Sequence, residues 1–195
     1  MKRPLWQTEM ERLPTKRTCD GCDLCCTAVG VRELKKPPGV RCPKLRADLD
    51  AGHNCGVYPD HPSVCQEFAC LWRMSDYTLP EGLHPPKVGF VLSMGPITNY
   101  PFVVTVHPDP ARPTAWDTFY FRSVFARIAR GLNCLLAVGQ GRTATHIFTP
   151  VGKVYDKASR PDLFVNGGEQ VGAPPGDFFS AADGSGRDRS AAVQW

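Results

Sequence analysis

Eight of the nine cysteines in this chain lie between residues 19 and 70, and this density constrains the fold more than any other feature. The series opens with the run CDGCDLCC. Its members are Cys19, Cys22, Cys25, Cys26, Cys42, Cys55, Cys65 and Cys70. Cysteines two residues apart in a tight loop point their sulfur atoms at one centre, and soft thiolates select zinc, copper(I) or iron–sulfur clusters. The pattern therefore predicts a metal site held by these side chains.

A disulfide framework is the main alternative use of such a cluster, and the opening residues disfavour it. The segment MKRPLWQTEMERLPTKRT has no apolar run of the length that a signal peptide has, and no stretch of the sequence approaches a membrane span. We therefore expect a cytoplasmic protein with no membrane partner, in a compartment where thiols are kept reduced. Redox-active dithiols are a further alternative, but the strand and helix of a thioredoxin-like motif are missing around the Cys-x2-Cys pairs.

Composition along the chain predicts an α+β protein in four parts. These are a polar arm (1–18), a cysteine-cluster metal-binding module (19–75), an α+β region (80–155) and a largely flexible, glycine-rich tail (156–195). The module is too short to bury much apolar surface, so we expect bound metal to supply folding energy there. Three apolar residues of the tail are candidates for docking on the preceding region, namely Leu163, Phe164 and Val165.

Hydrophobic periodicity in residues 80–155 predicts a small antiparallel sheet. A strand is predicted over 87–94, because alternate residues are apolar: Val88, Phe90, Leu92 and Met94. A second strand repeats the pattern at Phe102, Val104 and Val106. Two more strands, at 134–138 and 143–149, flank the sequence Gly139-Gln140-Gly141, which is typical of a hairpin turn.

One helix is predicted to cover this sheet. It begins with Asp117 or Thr118 as the N-cap and ends near Gly131 and Asn133. Its apolar stripe at helical spacing consists of Phe121, Val124, Phe125, Ile128 and Leu132.

The charge distribution gives little support for a nucleic-acid partner. Residues 1–50 carry 11 Lys and Arg against 7 Asp and Glu, which accounts for the net charge of +4. These charges alternate in sign along the sequence, and no aromatic residues are interleaved with them as a base-stacking surface requires. We interpret them as a solvated basic surface. The alternative is that basic residues near the cysteines, Lys36 among them, stabilise thiolates or an anionic cluster.

The cysteines and their neighbours resemble one known family. The matching pattern is Cys19-x2-Cys22-x2-Cys25-Cys26, Cys42-Pro43-x-Leu45, Cys55-x2-Tyr58-x2-His61-Pro62-x2-Cys65 and Phe68. It resembles the widespread bacterial CxxCxxCC family of cysteine-cluster proteins, which are described as zinc- or iron-chelating. The resemblance implies metal chelation and says nothing about residues 80–195. His61 and Gln66 stand where the family usually has arginine.

The residues leave the identity of the metal open. Cys19, Cys22 and Cys25 are spaced as in a bacterial ferredoxin, and Cys42-Pro43 resembles the Cys-Pro that closes such motifs, which favours iron or an iron–sulfur cluster. Eight thiols would equally fill two four-cysteine zinc sites. Adjacent side chains leave an extended backbone in opposite directions. Either Cys25 or Cys26 is therefore a spare, or the two serve different sites; the sequence does not assign ligands pairwise.

Other side chains allow more than one interpretation. His53 and His61 bracket Cys55 and are either nitrogen ligands or exposed loop residues. Tyr58 and Phe68 are expected to cover the site and restrict water. Cys134 lies in an apolar segment, where a buried, inert thiol is expected. The remaining histidines are expected to be structural: His84, His107 and His146.

The sequence contains no recognisable catalytic motif. It lacks a Gly-x-Ser-x-Gly elbow, an HExxH helix and a complete dinucleotide fingerprint. The first hypothesis is a cytoplasmic metal-binding protein that serves electron transfer, metal handling or regulation. The second is a metal-dependent enzyme whose C-terminal region binds substrate, and the third is a zinc-stabilised module that binds a protein partner. No catalytic residue is assigned, and enzymatic activity stays an open question.

Overall fold

A computed structural model describes residues 17, 19, 21–46, 55–57, 60–74, 79–97, 100–139 and 144–164. The chain forms two compact units. Unit 1 comprises Met1–Ser93 and His107–Trp116, and unit 2 comprises Met94–Val106 and Asp117–Trp195. Apart from Arg17, the predicted polar arm lies outside the described residues, as does the predicted tail beyond residue 164.

Unit 1 contains short helices joined by turns. They are α1 (Leu24–Ala28), α2 (Ser63–Gln66), α3 (Leu71–Met74), a 3-10 turn (Glu81–Leu83) and α4 (Pro85–Val88). Helices of this length are not stable on their own, because the cost of nucleating a helix exceeds the gain from one or two turns. Their order must come from packing or from cross-links between segments. One apolar cluster in this unit consists of Leu24, Ala28, Val29 and Val91.

The first strand begins at Phe90, later than the predicted strand over 87–94. Pro85 occupies the first turn of α4, where its fixed φ favours a helix, and Gly89 ends the helix with a left-handed φ of +78°. A Cβ atom at Gly89 would come within 2.9 Å of the Ala115 Cβ, so the position favours glycine on both counts. The predicted alternation is also wrong, because Phe90, Val91 and Leu92 are all buried.

The sheet has five strands, which lie side by side in chain order. They are β1 (Phe90–Ile97), β2 (Tyr100–Pro108), β3 (Leu135–Val138), β4 (His146–Phe148) and β5 (Val154–Asp156). Strands β3 and β4 pair antiparallel, with Ala137 opposite Ile147, and β4 and β5 are also antiparallel. Strand β2 pairs with β3 in parallel, with Val104 opposite Leu136. The sheet is therefore mixed, which confirms the α+β class and corrects the prediction of an antiparallel sheet.

Helix α5 (Phe119–Gly131) connects β2 to β3 and makes their parallel pairing possible, since parallel neighbours need a long crossover. Its N-cap is Thr118, whose Oγ1 accepts a hydrogen bond from the Phe121 N–H at 3.2 Å. The buried residues of this helix are Val124, Phe125 and Ala129. The predicted helix is confirmed, but Leu132 is 38% exposed and therefore does not belong to the buried stripe. Within the described part of the chain, no helix has both the length and the apolar character required to cross a membrane.

The beginning of the predicted tail belongs to the core of unit 2. Leu163 and Phe164 are buried in one cluster with Val103, Leu135 and Ile147. Their expected docking is confirmed, whereas Val165 lies outside the described residues.

Removing the N-cap hydroxyl of α5 is expected to destabilise the protein measurably. Thr118→Ala leaves the Phe121 N–H without its side-chain acceptor and should lower the free energy of unfolding by about 1 kcal/mol. Ser123→Ala is the matched control, because the Ser123 hydroxyl donates only to the Phe119 carbonyl on an exposed face of the same helix. Urea denaturation measures both variants. Equal midpoints for the two variants would contradict the capping role.

Candidate metal centre

All eight cysteines of the predicted metal-binding module line one cavity of about 530 Å³ in unit 1. Polar residues on the same walls are Asp23, Lys36, Lys44, His61, Gln66 and Arg73. Cys134, in contrast, is 2% exposed in strand-flanking sequence, and burial raises its pKa to about 12. It is the buried thiol that the sequence predicts. All nine cysteines belong to the described residues, and all nine are free thiols.

The described residues of the run CDGCDLCC, Cys19 and 21–26, form a turn followed by a short helix. The Cys22 N–H donates to the Cys19 carbonyl at 2.8 Å, and Gly21 between them has a positive φ of 68°. Helix α1 then carries Cys25 and Cys26. The Cys26 N–H donates to the carbonyl of Asp23 at 2.9 Å, which fixes the entry into the helix. Short spacing in sequence thus places four thiols on the wall of one cavity.

Backbone hydrogen bonds bring Cys42 and Cys55 to the same wall. The Cys42 N–H donates to the Cys26 carbonyl at 2.9 Å. Leu45 forms an isolated antiparallel bridge with Cys55, and its own N–H donates to the Cys42 carbonyl at 3.1 Å. These bonds join segments that are distant in sequence, and spacing alone does not predict them.

Helices α2 and α3 position the last two cysteines. Cys65 lies in α2, which begins after Pro62, and the Cys65 N–H donates to the Pro62 carbonyl at 2.8 Å. Cys70 immediately precedes α3, and its carbonyl accepts from the N–H groups of Arg73 and Met74. Phe68 also lines the cavity, and its role in covering a metal site stays a prediction.

The thiols of Cys25 and Cys26 are joined by a hydrogen bond. It raises the pKa of Cys25 strongly and, by stabilising the thiolate, lowers the pKa of Cys26 to about 7. Burial raises the pKa of Cys22 to about 11 and also raises the pKa values of Cys65 and Cys70. Because metals bind the thiolate form, metal binding in this cavity would have to displace several protons.

The environment of Lys36 differs from the one predicted for the basic residues near the cysteines. Its side chain is 5% exposed, so the interpretation as a solvated charge is wrong. The ammonium group donates to the Val29 carbonyl and to the Thr27 carbonyl, and the second of these distances is 3.4 Å. Burial lowers the pKa of Lys36, while the charges of Cys42, Cys26, Cys25 and Cys65 oppose that shift. A buried cation at this position would offset negative charge on thiolates.

The eight thiols line the cavity, but they do not converge on one preformed metal position. Among the described residues, no three His, Cys, Asp or Glu side chains are arranged as a preformed metal site. The donor set nevertheless fits the predicted metals chemically, since all eight thiols are soft ligands for zinc or iron–sulfur clusters. A volume of about 530 Å³ is that of a small-molecule pocket, so it exceeds what a single ion needs.

The predicted nitrogen ligands are represented by His61 alone. His61 lines the cavity, and its backbone carbonyl accepts a hydrogen bond from Gln66 Nε2 at 2.7 Å. The alternative ligand His53 and the predicted covering residue Tyr58 lie outside the described residues.

A buried histidine on β2 is a feature for which the sequence contains no signal. His107 is 3% exposed, its Nε2 lies 2.7 Å from the Ser93 hydroxyl, and its Nδ1 has no hydrogen-bond partner among the described residues. Burial, followed by the charge of Lys36, lowers the pKa of His107 to about 4. A Ser-His-Asp triad needs a carboxylate on Nδ1, and none is bonded to it here. Among the described residues the pair lacks the third member of such a triad, and the structural role of His107 stays a prediction.

The neutral His107 ring should make stability depend on pH. Its pKa rises from about 4 in the folded protein to the ordinary 6.5 in the unfolded chain, so the unfolded chain binds the extra proton between these values. The stabilisation is complete above pH 6.5 and is lost as the pH falls towards 4. The expected loss is up to about 3 kcal/mol. Urea unfolding across this window measures it.

His107→Gln is the control for the pH effect, because its amide nitrogen can still reach the Ser93 hydroxyl but does not titrate. The variant should show a shallower decline in the free energy of unfolding between pH 6.5 and 4 than the unsubstituted protein. Parallel declines would show that His107 is not the titrating group.

Comparison with known proteins identifies no relative. No family model matches the chain, and neither a curated protein nor a solved structure matches it. The residues that line the cavity are therefore the basis for assigning a function.

Proposed function

We propose that this chain is a cysteine-cluster metal-binding protein, in which thiolates from residues 19–70 hold iron, as an iron–sulfur cluster, or zinc. The observation that carries the proposal is that all eight cysteines of this segment line one cavity, while the ninth is buried elsewhere. On this proposal, the resemblance to the bacterial CxxCxxCC family reflects shared chelation chemistry.

The walls of the cavity suit a bound anionic centre. Apolar side chains such as Val29, Phe68 and Val91 limit the access of water, which strengthens electrostatic interactions inside. The buried ammonium group of Lys36 supplies positive charge next to the thiols. An iron–sulfur cluster would supply one-electron transfer, whereas zinc would supply a structural cross-link.

A zinc-stabilised interaction module is the second candidate. It is favoured by the short helices of unit 1, each of three to five residues in the described part, which need cross-links to stay ordered. On this candidate the protein partner would recognise the ordered module and the metal would take no part in chemistry. A metal-dependent enzyme whose C-terminal region binds substrate is the third hypothesis.

Anaerobic purification followed by elemental analysis and a visible spectrum tests the proposal. The expected result is stoichiometric iron with broad visible absorption that bleaches on reduction, or stoichiometric zinc in a colourless protein. The matched control is Cys134→Ser, which removes the one cysteine outside the cavity and should retain the metal. A folded protein with eight titratable cavity thiols and neither metal would contradict the proposal.

A further inference from the structure

Three of the cavity cysteines share one apolar wall. Cys22, Cys25 and Cys70 pack against the cluster formed by Leu24, Ala28, Val29 and Val91. Cys19 is tied to the same group, because its carbonyl accepts the Cys22 N–H at 2.8 Å.

The other four cysteines are connected to one another by a different set of contacts. The Cys42 N–H bonds to the Cys26 carbonyl, and Leu45 links Cys42 to Cys55 through a hydrogen bond and a bridge. Cys65 is assigned to this group because it lines the same cavity and, unlike Cys22, Cys25 and Cys70, does not pack against the apolar cluster. None of these four cysteines packs against the apolar cluster that contacts Cys22, Cys25 and Cys70 in the described structure.

Cys25 and Cys26 stand at the junction of the two groups. They are successive residues of helix α1, so their side chains leave the helix about 100° apart. Cys25 packs against the same apolar cluster as the first group, whereas the Cys26 carbonyl accepts a hydrogen bond from the N–H of Cys42 in the second group. Their thiols still touch through a hydrogen bond. The Lys36 ammonium group donates to the carbonyl of Thr27 in the same helix and to that of Val29 at its end. The two groups are therefore adjacent, with a buried cation beside their junction.

We propose that the eight cysteines form two neighbouring four-thiolate metal sites. The first site consists of Cys19, Cys22, Cys25 and Cys70, and the second consists of Cys26, Cys42, Cys55 and Cys65. This inference rests on the proposed metal-binding function and adds the partition of ligands, with the adjacent pair Cys25-Cys26 divided between the sites. Four thiolates complete the tetrahedral shell of zinc or the shell of one iron–sulfur cluster. The thiols converge when metal binds, since they are not preformed around a centre.

Paired substitutions within and across the groups test the partition. Reduced, metal-free protein is titrated with Zn²⁺ under anaerobic conditions, and bound zinc is counted by native mass spectrometry. The unsubstituted chain should bind two ions, and Cys19→Ser or Cys42→Ser should each bind one. The double variant Cys19→Ser/Cys70→Ser, within the first group, should still bind one, whereas Cys19→Ser/Cys42→Ser, across the groups, should bind none. Cys25→Ser and Cys26→Ser should each lose one ion, from different sites.

Alkylation of individual cysteines, mapped by mass spectrometry, identifies the site that is lost. In zinc-loaded Cys19→Ser, the expected result is rapid modification of Cys22, Cys25 and Cys70 with protection of the other four. Cys134 is an internal control, since it stays protected while the core around it is folded. Modification of Cys134 identifies an unfolded variant. In that case Cys70→Ser replaces Cys19→Ser for the first group, and Cys65→Ser replaces Cys42→Ser for the second.

The possible failures are distinguishable. An unsubstituted protein that binds neither zinc nor iron would contradict the proposed function itself. Metal binding by the unsubstituted protein, together with loss of both ions in Cys19→Ser/Cys70→Ser or retention of one ion in Cys19→Ser/Cys42→Ser, would overturn only the partition. Modification of the same cysteines in Cys25→Ser and Cys26→Ser would also overturn it, because the adjacent pair would then serve one site.

Discussion

On the proposed metal-binding function, removing the metal is expected to open the cysteine-bearing segment to trypsin while the sheet and its helix stay protected. Structural zinc contributes on the order of 10 kcal/mol in small thiolate modules, which is comparable to the whole stability of an ordinary domain. The helices of unit 1 have only three to five residues and are not stable on their own. Cleavage should appear at exposed basic residues of this segment, namely Lys35, Arg41, Lys44 and Arg73.

Helix α5 provides the comparison within the same chain. Arg127 and Arg130 are equally exposed, but they lie in a helix that packs on β3 and β4 through buried apolar side chains. They should stay uncut after treatment with a chelator, as identified by mass spectrometry of the tryptic fragments. Chelator that has been saturated with zinc beforehand controls for direct effects of the reagent. Cleavage at Arg127 and Arg130 before cleavage in the cysteine-bearing segment would contradict this order of stability.

Helix α5 was predictable because several independent signals coincide in it. The N-cap Thr118, the apolar residues around Phe125 and the left-handed Asn133, with a φ of 46°, all follow from local preferences of those residue types. Leu132 fell outside the buried stripe because it follows the last helical residue, where the helical spacing no longer applies. Local signals therefore located the helix, but they did not show that its last helical residue is Gly131.

The sheet was less predictable, because periodicity identifies strands and does not identify their partners. The parallel pairing of β2 with β3 results from the length of the connection through α5. Phe90, Val91 and Leu92 are all buried, so no alternation of apolar and polar residues distinguishes a core-facing side of the strand from a solvent-facing side. Strand β5 has three residues and an exposed Val154, too few for any pattern to be recognised.

The candidate site shows the same division between local and long-range information. Spacing within CDGCDLCC indicated convergence of thiols, and all eight predicted cysteines line one cavity. The approach of Cys42 to Cys26 depends on a backbone hydrogen bond between distant segments, which spacing does not reveal. The burial of Lys36 likewise follows from its bridge to Val31 and from carbonyl acceptors on Thr27 and Val29. Polar residues in a turn carry no sequence signal for such burial.

Truncating Phe125 to alanine is expected to cause a large loss of stability in unit 2. Phe125 is 0% exposed. The centroid of its ring lies 5.7 Å from that of Phe148, in an edge-on contact, and 6.5 Å from that of Phe121. Phe125→Ala removes these contacts and leaves a cavity that the sheet cannot fill, because β3 and β4 are held by their own hydrogen bonds. The expected loss is about 3–5 kcal/mol in the free energy of unfolding.

Phe119→Ala is the matched control, since the same substitution is made on the same helix at a side chain that is 89% exposed. Its effect should stay within about 0.5 kcal/mol. Urea denaturation followed by far-UV circular dichroism compares the two variants, and an unchanged dependence on urea concentration shows that both unfold from the same compact state. Metal content should be unaffected in both, because neither residue lines the cysteine cavity. If Phe125→Ala cost no more than Phe119→Ala, the aromatic contacts between α5 and β4 would not be the core of this unit.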